Sequence, residues 1–454
     1  MSLSPPTQES YLVIGGCGFL GRHIVEALVG RGEKNVSVFD IVQRHFDDNI
    51  NFYTGDITKV EDVSDAIRKV CERRAQLRCF PEADPQSNAK IVIHTASPPH
   101  GLGREVYEKV NVEGTKIVIE ACKSAGVPKL VYTSSAGVIY SGKENLINAD
   151  ERIKYPKVAL DAYNETKAKA EELVLEANGD ELLTCALRPS GIFGPGDRQA
   201  ISGFYSVVKN GQTKFQIGSN ENLFDWTYVG NVAHAHLLAA DKLDTTYPVE
   251  GLHLPLPNVD LSLGHHRIPT SKAHPLGPKV NPTPEDQVCA ARFESDEVDP
   301  SDLRPVLRSR MDQFAELADT DDNGDGPAPG AKVAGQAFFI NNCEPVAFWD
   351  WTRAVWRELG HIPPYTIVLP TALGLILATL AEIFSKLTGR EPGFTRFRVT
   401  FATQQRYYDS ERARRLLGYT PIVGVVDGLE RWTSWYKEEL AKAGEPIQET
   451  EKTK

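Results

Sequence analysis

Tyr163 and Lys167 stand four residues apart in YNETK, the spacing that puts two side chains on one face of an α-helix. An ammonium close to a phenol favours the phenolate and draws its pKa down from about 10, so Tyr163 reads as a general base. Ser135, at the end of Thr133-Ser134-Ser135, supplies a hydroxyl able to hold a substrate oxygen near that base. Ser134 reads as a hydroxyl that caps backbone. A second set of residues suits a different task. Gly15, Gly18 and Gly21 follow an apolar run in the pattern G-x-x-G-x-x-G, with Phe19 and Leu20 between the last two, and lead into a helical stretch. Glycines there let a pyrophosphate reach the backbone, and the free N–H groups of the helix start attract its charge. Asp40 ends the next apolar run, where a carboxylate accepts hydrogen bonds from both hydroxyls of an adenosine ribose and repels a 2′-phosphate. That favours NAD; Arg44, the nearest downstream base, leaves NADP open.

Such residues must be carried by strands that end together. Apolar runs at 11–14, 36–39, 91–94, 130–133 and 182–187 alternate with helical patterns at 21–29, 63–72, 107–124 and 162–176. Strand–helix alternation predicts a Rossmann-type doubly wound parallel sheet of the α/β class. Ligands in such sheets lie at the carboxyl ends of the strands, which is where Ser135 and the glycine turn fall. Asp56 and Ile57 follow the third strand; Asp56 either meets the adenine amine or caps the helix that starts near Val60. Ala96 ends the fourth strand, where a small residue lets a cofactor lie close. Pro189 opens the corresponding stretch after the strand at 182–187.

Composition removes several alternatives. The chain has 454 residues, 24% charged and 41% hydrophobic, with a formal net charge of −11. That is ordinary for globular domains and excludes a fully disordered chain or a multi-span membrane protein. Nucleic acid is not an expected partner of so acidic a chain. The seven cysteines are scattered without a C-x-x-C, so reduced thiols are expected rather than a disulfide scaffold or zinc site. The first ten residues lack the apolar core of a secretory signal.

Residues 250–332 differ from the rest. They hold 15 Asp/Glu against 8 Lys/Arg and 11 of the 29 prolines. Such a stretch buries too little apolar surface to offset ordering entropy and reads as a disordered insertion. Within it, residues 319–325 lack the final glutamate of a calcium loop, and His265 and His266 read as solvated. No metal site is expected. Residues 72–89 look like a smaller loop extension. Beyond the insertion, a strand is expected at 336–341 and a Trp-rich helix at 348–360. Residues 362–381 carry no charge, but Pro363, Pro364 and Pro370 interrupt the first half. Thr379, Glu382 and Lys386 recur at helical steps as a narrow polar stripe. That pattern suits a helix lying in a membrane interface or over a greasy pocket better than one that spans.

Together, GGCGFLG (15–21), Asp40, TSSAGVIY (133–140), YNETK (163–167) and LRPSGIFGPGD (187–197) resemble the extended short-chain dehydrogenase/reductases. FDWTYVGNVAHAHLLAA (224–240) and FFINNCEPVAFWDWTRAVWRELG (338–360) resemble the 3β-hydroxysteroid dehydrogenase branch of that family. Within the branch the likeness is greatest to the decarboxylating sterol-4α-carboxylate 3-dehydrogenases of fungal sterol synthesis. It covers the chain apart from its first residues, the insertion and its last ten or so. The resemblance implies Tyr163, Lys167 and Ser135 as catalytic residues. It implies a cofactor site of Gly15, Gly18, Phe19, Leu20, Gly21, Asp40, Asp56, Ile57, Ala96, Tyr163, Lys167 and Pro189. It further implies a smaller C-terminal substrate lobe, a sterol substrate, NAD as cofactor, a homodimer, and other membrane-bound sterol-demethylation enzymes as partners at the cytosolic face of the endoplasmic reticulum. The alternatives are a 3β-hydroxysteroid dehydrogenase/isomerase acting on another steroid, a nucleotide-sugar epimerase with the same Ser, Tyr and Lys, or a regulator that binds NAD(P) without turnover. The corresponding division of the chain is a cofactor domain at 1–188 and interleaved substrate and Rossmann segments at 189–249. The insertion at 250–332 and a returning strand and helix at 333–361 follow. The chain closes with the membrane-leaning segment at 362–388 and the rest of the substrate lobe with the tail at 389–454.

Overall fold

The protein is described here from a computed structural model, which places residues 5–46, 50–76, 90–248, 252, 330–388 and 394–445. The first half lays down Ser10–Ile14 (β1), Phe19–Arg31 (α1), Asn35–Asp40 (β2), Asn51–Thr54 (β3), Val60–Gln76 (α2) and Lys90–His94 (β4). Next come Arg104–Tyr107 (α3), Gly114–Ser124 (α4), Lys129–Thr133 (β5), Leu146–Ala149 (β6), Ala162–Glu176 (α5) and Leu183–Pro189 (β7). The chain then forms Gly191–Phe193 (β8), Ala200–Lys209 (α6), Phe215–Ile217 (β9), Leu223–Phe224 (β10), Trp226–Tyr228 (β11), Val229–Lys242 (α7) and Thr246–Pro248 (β12). After the insertion it adds Gly330–Lys332 (β13), Ala337–Ile340 (β14), Val346–Ala347 (β15), Phe348–Glu358 (α8), Ile367–Leu369 (β16), Thr371–Thr388 (α9), Arg396–Thr403 (α10), Arg406–Tyr408 (β17) and Val425–Lys442 (α11).

Seven strands form one sheet in the order β14-β7-β5-β4-β1-β2-β3, and every pairing is parallel. The order reverses between β1 and β4, so a crevice opens beyond their carboxyl ends. Strand β1 shows why the apolar runs are continuous. Tyr11 and Val13 join the core shared with α1 and α7, while Leu12 and Ile14 join the core shared with α2, α4 and α5. Successive side chains alternate across a strand, so a strand covered on both faces has no polar side.

Opposite the crevice sits a lobe assembled from distant segments. Strands β15, β10, β17 and β6 make a mixed four-stranded sheet, and β8 pairs with β11 and β9 with β16. Its core is aromatic: Trp226 stacks on Trp351, and Phe193 packs edge-on against Trp351 and Tyr228.

Two expectations need correction. The helix read at 107–124 is broken: a π-helical turn, Glu108–Glu113, separates α3 from α4. The stretch read as disordered ends sooner than residue 332. Gly330–Lys332 pairs antiparallel with β12, and Ala331 is buried. The rest of the insertion, including 319–325, His265 and His266, lies outside the described residues apart from Leu252, as does the extension at 77–89.

The charge-free segment divides in two. Its first part supplies β16, and α9 carries Gly374 and Ala378 against the protein. Glu382 pairs with Arg396 at 2.8 Å, and Thr379 bonds back to Leu375 O. Thr379 and Glu382 are thus turned to the body, and the apolar side faces out: Leu373, Ile376, Leu377, Leu380, Ile383, Phe384 and Leu387 are exposed. Among the described residues, no helix is long and apolar enough to cross a membrane.

Candidate active site

The glycine turn is fixed by sterics. Gly15 has φ +81°, and a Cβ there would come within 2.7 Å of the Ala96 backbone. A Cβ on Gly21 would come 2.1 Å from Gly15 O, so α1 sits on the turn only because residue 21 has no side chain. Gly18 precedes α1 in extended conformation, and no side chain caps the helix. The start of α1 therefore presents its N–H groups to the cavity that Gly18, Phe19 and Leu20 line, the arrangement that binds phosphate. Asp40, at the tip of β2, accepts the Cys17 N–H at 2.9 Å and the Ile41 N–H at 2.7 Å, which fixes its carboxylate at the cavity edge.

Asp56 and Ile57 reach the same cavity. The Asp56 carboxylate accepts from Thr58 N and Thr58 Oγ1, both at 2.9 Å, which closes a turn before α2. It is therefore a turn-former ahead of α2, with Thr58 holding its pKa below the usual carboxylate range. Ala96 and Pro189 line the cavity at the ends of β4 and β7.

Tyr163 lies in the first turn of α5, whose start is capped by Asp161 accepting from Asn164 N at 2.8 Å. Its ring packs on His100 with centroids 4.0 Å apart and meets Tyr107 edge-on at 5.7 Å. The Lys167 ammonium is buried and donates to Thr133 O at 2.6 Å and Tyr132 Oη at 3.1 Å. Ser135 Oγ accepts from Gly137 N at 3.1 Å and opens the 3-10 turn Ala136–Ile139. Ser134 Oγ is buried without a partner rather than capping backbone as expected.

The titration of the pair runs against expectation. Burial raises the Tyr163 phenol to about 12, with Asp161 and Tyr107 adding to the rise, while the Ser135 and Ser97 hydroxyls act the other way. Burial likewise draws the Lys167 ammonium down to about 7 against the opposing pull of Glu171. The lysine reaches back to the end of β5 rather than to the phenol, so desolvation outweighs its charge.

Several residues around the site escaped the sequence reading. Asn111 is buried on the π-helical turn, accepts from Ser97 Oγ at 3.0 Å and donates to Thr166 Oγ1 at 3.1 Å. It ties the fourth strand end to α5, and π-turns recur at functional sites for such offsets. His100 and Arg406 were also missed: no motif marks either, and both reach the site through chain folding.

The glycine turn, Asp40, Asp56, His100, Ser135, Tyr163, Lys167 and Arg406 line one cavity of about 1990 Å³. Ordinary ligand pockets hold up to about 1,000 Å³, so this one has room for two ligands. Its far half is walled by Phe204, Trp226, Phe348, Trp356 and Phe401 from the lobe. The cradle at Gly15, Gly18 and Asp40 fits a dinucleotide. Among the described residues, no group of His, Cys, Asp and Glu could hold a metal ion.

Residues 12–252 match the 3-beta hydroxysteroid dehydrogenase/isomerase family. The chain is 38% identical to the sterol-4-alpha-carboxylate 3-dehydrogenase, decarboxylating, of Schizosaccharomyces pombe, over 94% of this chain and 97% of that one. It is 37% identical to the protein of the same name in Saccharomyces cerevisiae (95% and 99%). The human protein so named is 33% identical (92% and 86%). Among solved structures, the UDP-glucose 4-epimerase of Thermus thermophilus with NAD matches with TM-score 0.54 at 18% identity, over 94% of this chain and 98% of that one. The Bordetella bronchiseptica enzyme WbmH with NAD+ matches with TM-score 0.56 at 14% identity (95% and 98%). At such identity these two structures share the fold.

Proposed function

The chain belongs to the 3-beta hydroxysteroid dehydrogenase/isomerase family, and on that premise we propose that it oxidises the 3β-hydroxyl of a 4α-carboxysterol to the 3-ketone and releases the C4 carboxylate as carbon dioxide. One observation carries this reading: Ser135, Tyr163 and Lys167 sit at one end of a cavity whose other half is aromatic and apolar. Such a wall suits a fused carbon skeleton and offers a sugar nucleotide little to bond, which disfavours the epimerase alternative. A regulator that only bound the dinucleotide would have no use for the trio.

NAD, when bound, accepts the hydride from C3. Tyr163 takes the hydroxyl proton, Ser135 orients the same oxygen, and Lys167 has its remaining N–H for the bound cofactor. Asp40 selects NAD over NADP through its fixed carboxylate. The product carries a ketone β to the carboxylate. Its C4–carboxyl bond breaks with the electron pair passing to the C3 oxygen as an enolate, and a proton returns to C4. No metal is required.

We also read the protein as a peripheral enzyme on the cytosolic face of the endoplasmic reticulum membrane, a homodimer working beside other sterol-demethylation enzymes. The support for membrane contact is the outward apolar side of α9.

The test is NADH formation by the purified protein with 4α-carboxysterols, simple 3β-hydroxysteroids and UDP-sugars, with Tyr163→Phe as control. Carbon dioxide release and NADH formation with the first group alone are expected, and Tyr163→Phe should abolish both while still binding NAD. Turnover of UDP-sugars, or full activity in the Phe variant, overturns the proposal.

A further inference from the structure

Arg406 is a charged side chain built into the aromatic wall. It lies on β17, where it pairs with Phe224 and with Leu146 on either side, and it lines the cavity while only 8% exposed. Its guanidinium lies over three rings: Phe401 at 4.1 Å, Tyr140 at 4.6 Å and Phe224 at 4.7 Å. Rings stabilise a cation by their faces but accept no N–H in the guanidinium plane. Nε and Nη2 are both buried without a hydrogen-bond partner. Asp225, the residue after Phe224, forms no ion pair with it: Asp225 Oδ2 accepts from Asn341 Nδ2 at 3.0 Å and Tyr408 N at 2.8 Å, and Oδ1 is buried without a partner.

A buried guanidinium with in-plane donors unused is costly unless an anion is to meet it. Arginine's planar fork matches a carboxylate in a two-point contact. Its position also fits. Tyr140, beneath the guanidinium, directly follows the 3-10 turn that Ser135 opens, while Phe401 and Phe224 belong to the lobe, so the cation stands where the aromatic half of the cavity meets its catalytic end. A sterol C4 carboxylate is one carbon from the C3 hydroxyl, so a group that binds it must lie just there.

We propose that Arg406 receives the substrate's C4 carboxylate and is the residue that selects carboxylated sterols over other 3β-hydroxysteroids. This rests on the function proposed above. The aromatic sleeve holds the fork in one orientation, and Gln404, two residues earlier, accepts from the Tyr140 hydroxyl and so fixes the ring below it.

The experiment compares wild type, Arg406→Lys and Arg406→Gln with a 4α-carboxy-3β-hydroxysterol and with the same sterol lacking the carboxylate, the latter measured as substrate or competitive inhibitor. NAD affinity is read in parallel. A lost charge-assisted contact implies a KM for the acid about 10- to 100-fold higher in the Gln variant, with a partial loss in Lys. Binding of the decarboxy sterol and of NAD should be unchanged. Equal losses on both sterols, weakened NAD binding, or an unchanged KM overturns the assignment. If Arg406→Gln does not fold, wild type decides through inhibition by the methyl ester of the same acid: the ester should bind at least about 10-fold more weakly than the acid, and equal binding overturns the assignment. Wild type that leaves the acid unoxidised defeats the functional reading itself. Wild type that oxidises it while Arg406→Gln is unaffected defeats only the role of Arg406.

Discussion

Lys167 has two of its three N–H donors committed, to Thr133 O at 2.6 Å and Tyr132 Oη at 3.1 Å, in a buried site that draws its pKa to about 7. Near neutral pH the cofactor-free protein therefore holds this group part-charged and part-neutral. If the third donor serves the bound dinucleotide, binding favours the ammonium and takes up a proton. The sign follows: NAD affinity should be greatest below pH 7 and fall as pH rises above it, by at most about tenfold per unit. Titration calorimetry in buffers of different ionisation enthalpy would register the uptake, and Lys167→Met should remove it. Proton uptake that is absent in wild type would mean the ammonium does not engage the cofactor. The Tyr-Lys pair was legible because four-residue spacing on a helix is a local rule. Its titration was not, because burial and the turn of Lys167 toward β5 depend on packing. Arg406 was invisible for the same reason: a lone arginine among tyrosines carries no pattern until β17 brings it to the cavity.

At the scale of elements, the unit β1–turn–α1 stands on one contact that glycine alone permits. A Cβ at residue 21 would collide with Gly15 O at 2.1 Å and Gly16 Cα at 2.8 Å, so Gly21→Ala must push α1 off the turn. The expected result is an NAD Kd raised about tenfold or more, since the helix start would no longer point at the phosphates. Gly30 lies in the same helix and is exposed, and a methyl added there would meet nothing within 4 Å, so Gly30→Ala should leave binding intact and add about 1 kcal/mol of stability. Equal effects of the two substitutions on Kd would show that helix propensity, not the close approach, governs the site. The central strands β1, β2, β4, β5 and β7 and helices α1, α2 and α5 were readable because each shows a period-3.6 pattern or a continuous apolar run, whereas the short β3 and β6 show neither. The π-helical turn was not, because a change of helical winding within Arg104–Ser124 leaves the composition unchanged while setting Asn111 between Ser97 and Thr166.

Across the whole molecule, the cavity and the outward side of α9 form one apolar surface. Leu377 belongs to both, since it lines the cavity and is 42% exposed, and Phe397 does the same from α10 at 47%. Beyond them Leu380, Ile383, Phe384 and Leu387 extend the patch away from the opening. An exposed patch of that kind on a monomer marks a surface that is covered in use. The polar residues that would betray a water-facing helix, Thr379 and Glu382, are turned inward, the latter to Arg396. On the membrane contact proposed above, an insoluble substrate would pass from lipid to the catalytic end without crossing water. The purified protein should float with phosphatidylcholine–phosphatidylethanolamine vesicles in a density gradient. Leu380→Glu combined with Phe384→Glu should abolish flotation, because two charges on a shallowly buried face oppose partition at the interface. Neither residue lines the cavity, so turnover of detergent-dispersed sterol should persist in the double variant while turnover of vesicle-borne sterol falls. Flotation that survives both substitutions would assign membrane contact to another part of the chain. Loss of activity on dispersed sterol as well would mean that α9 supports the lobe rather than the approach to it.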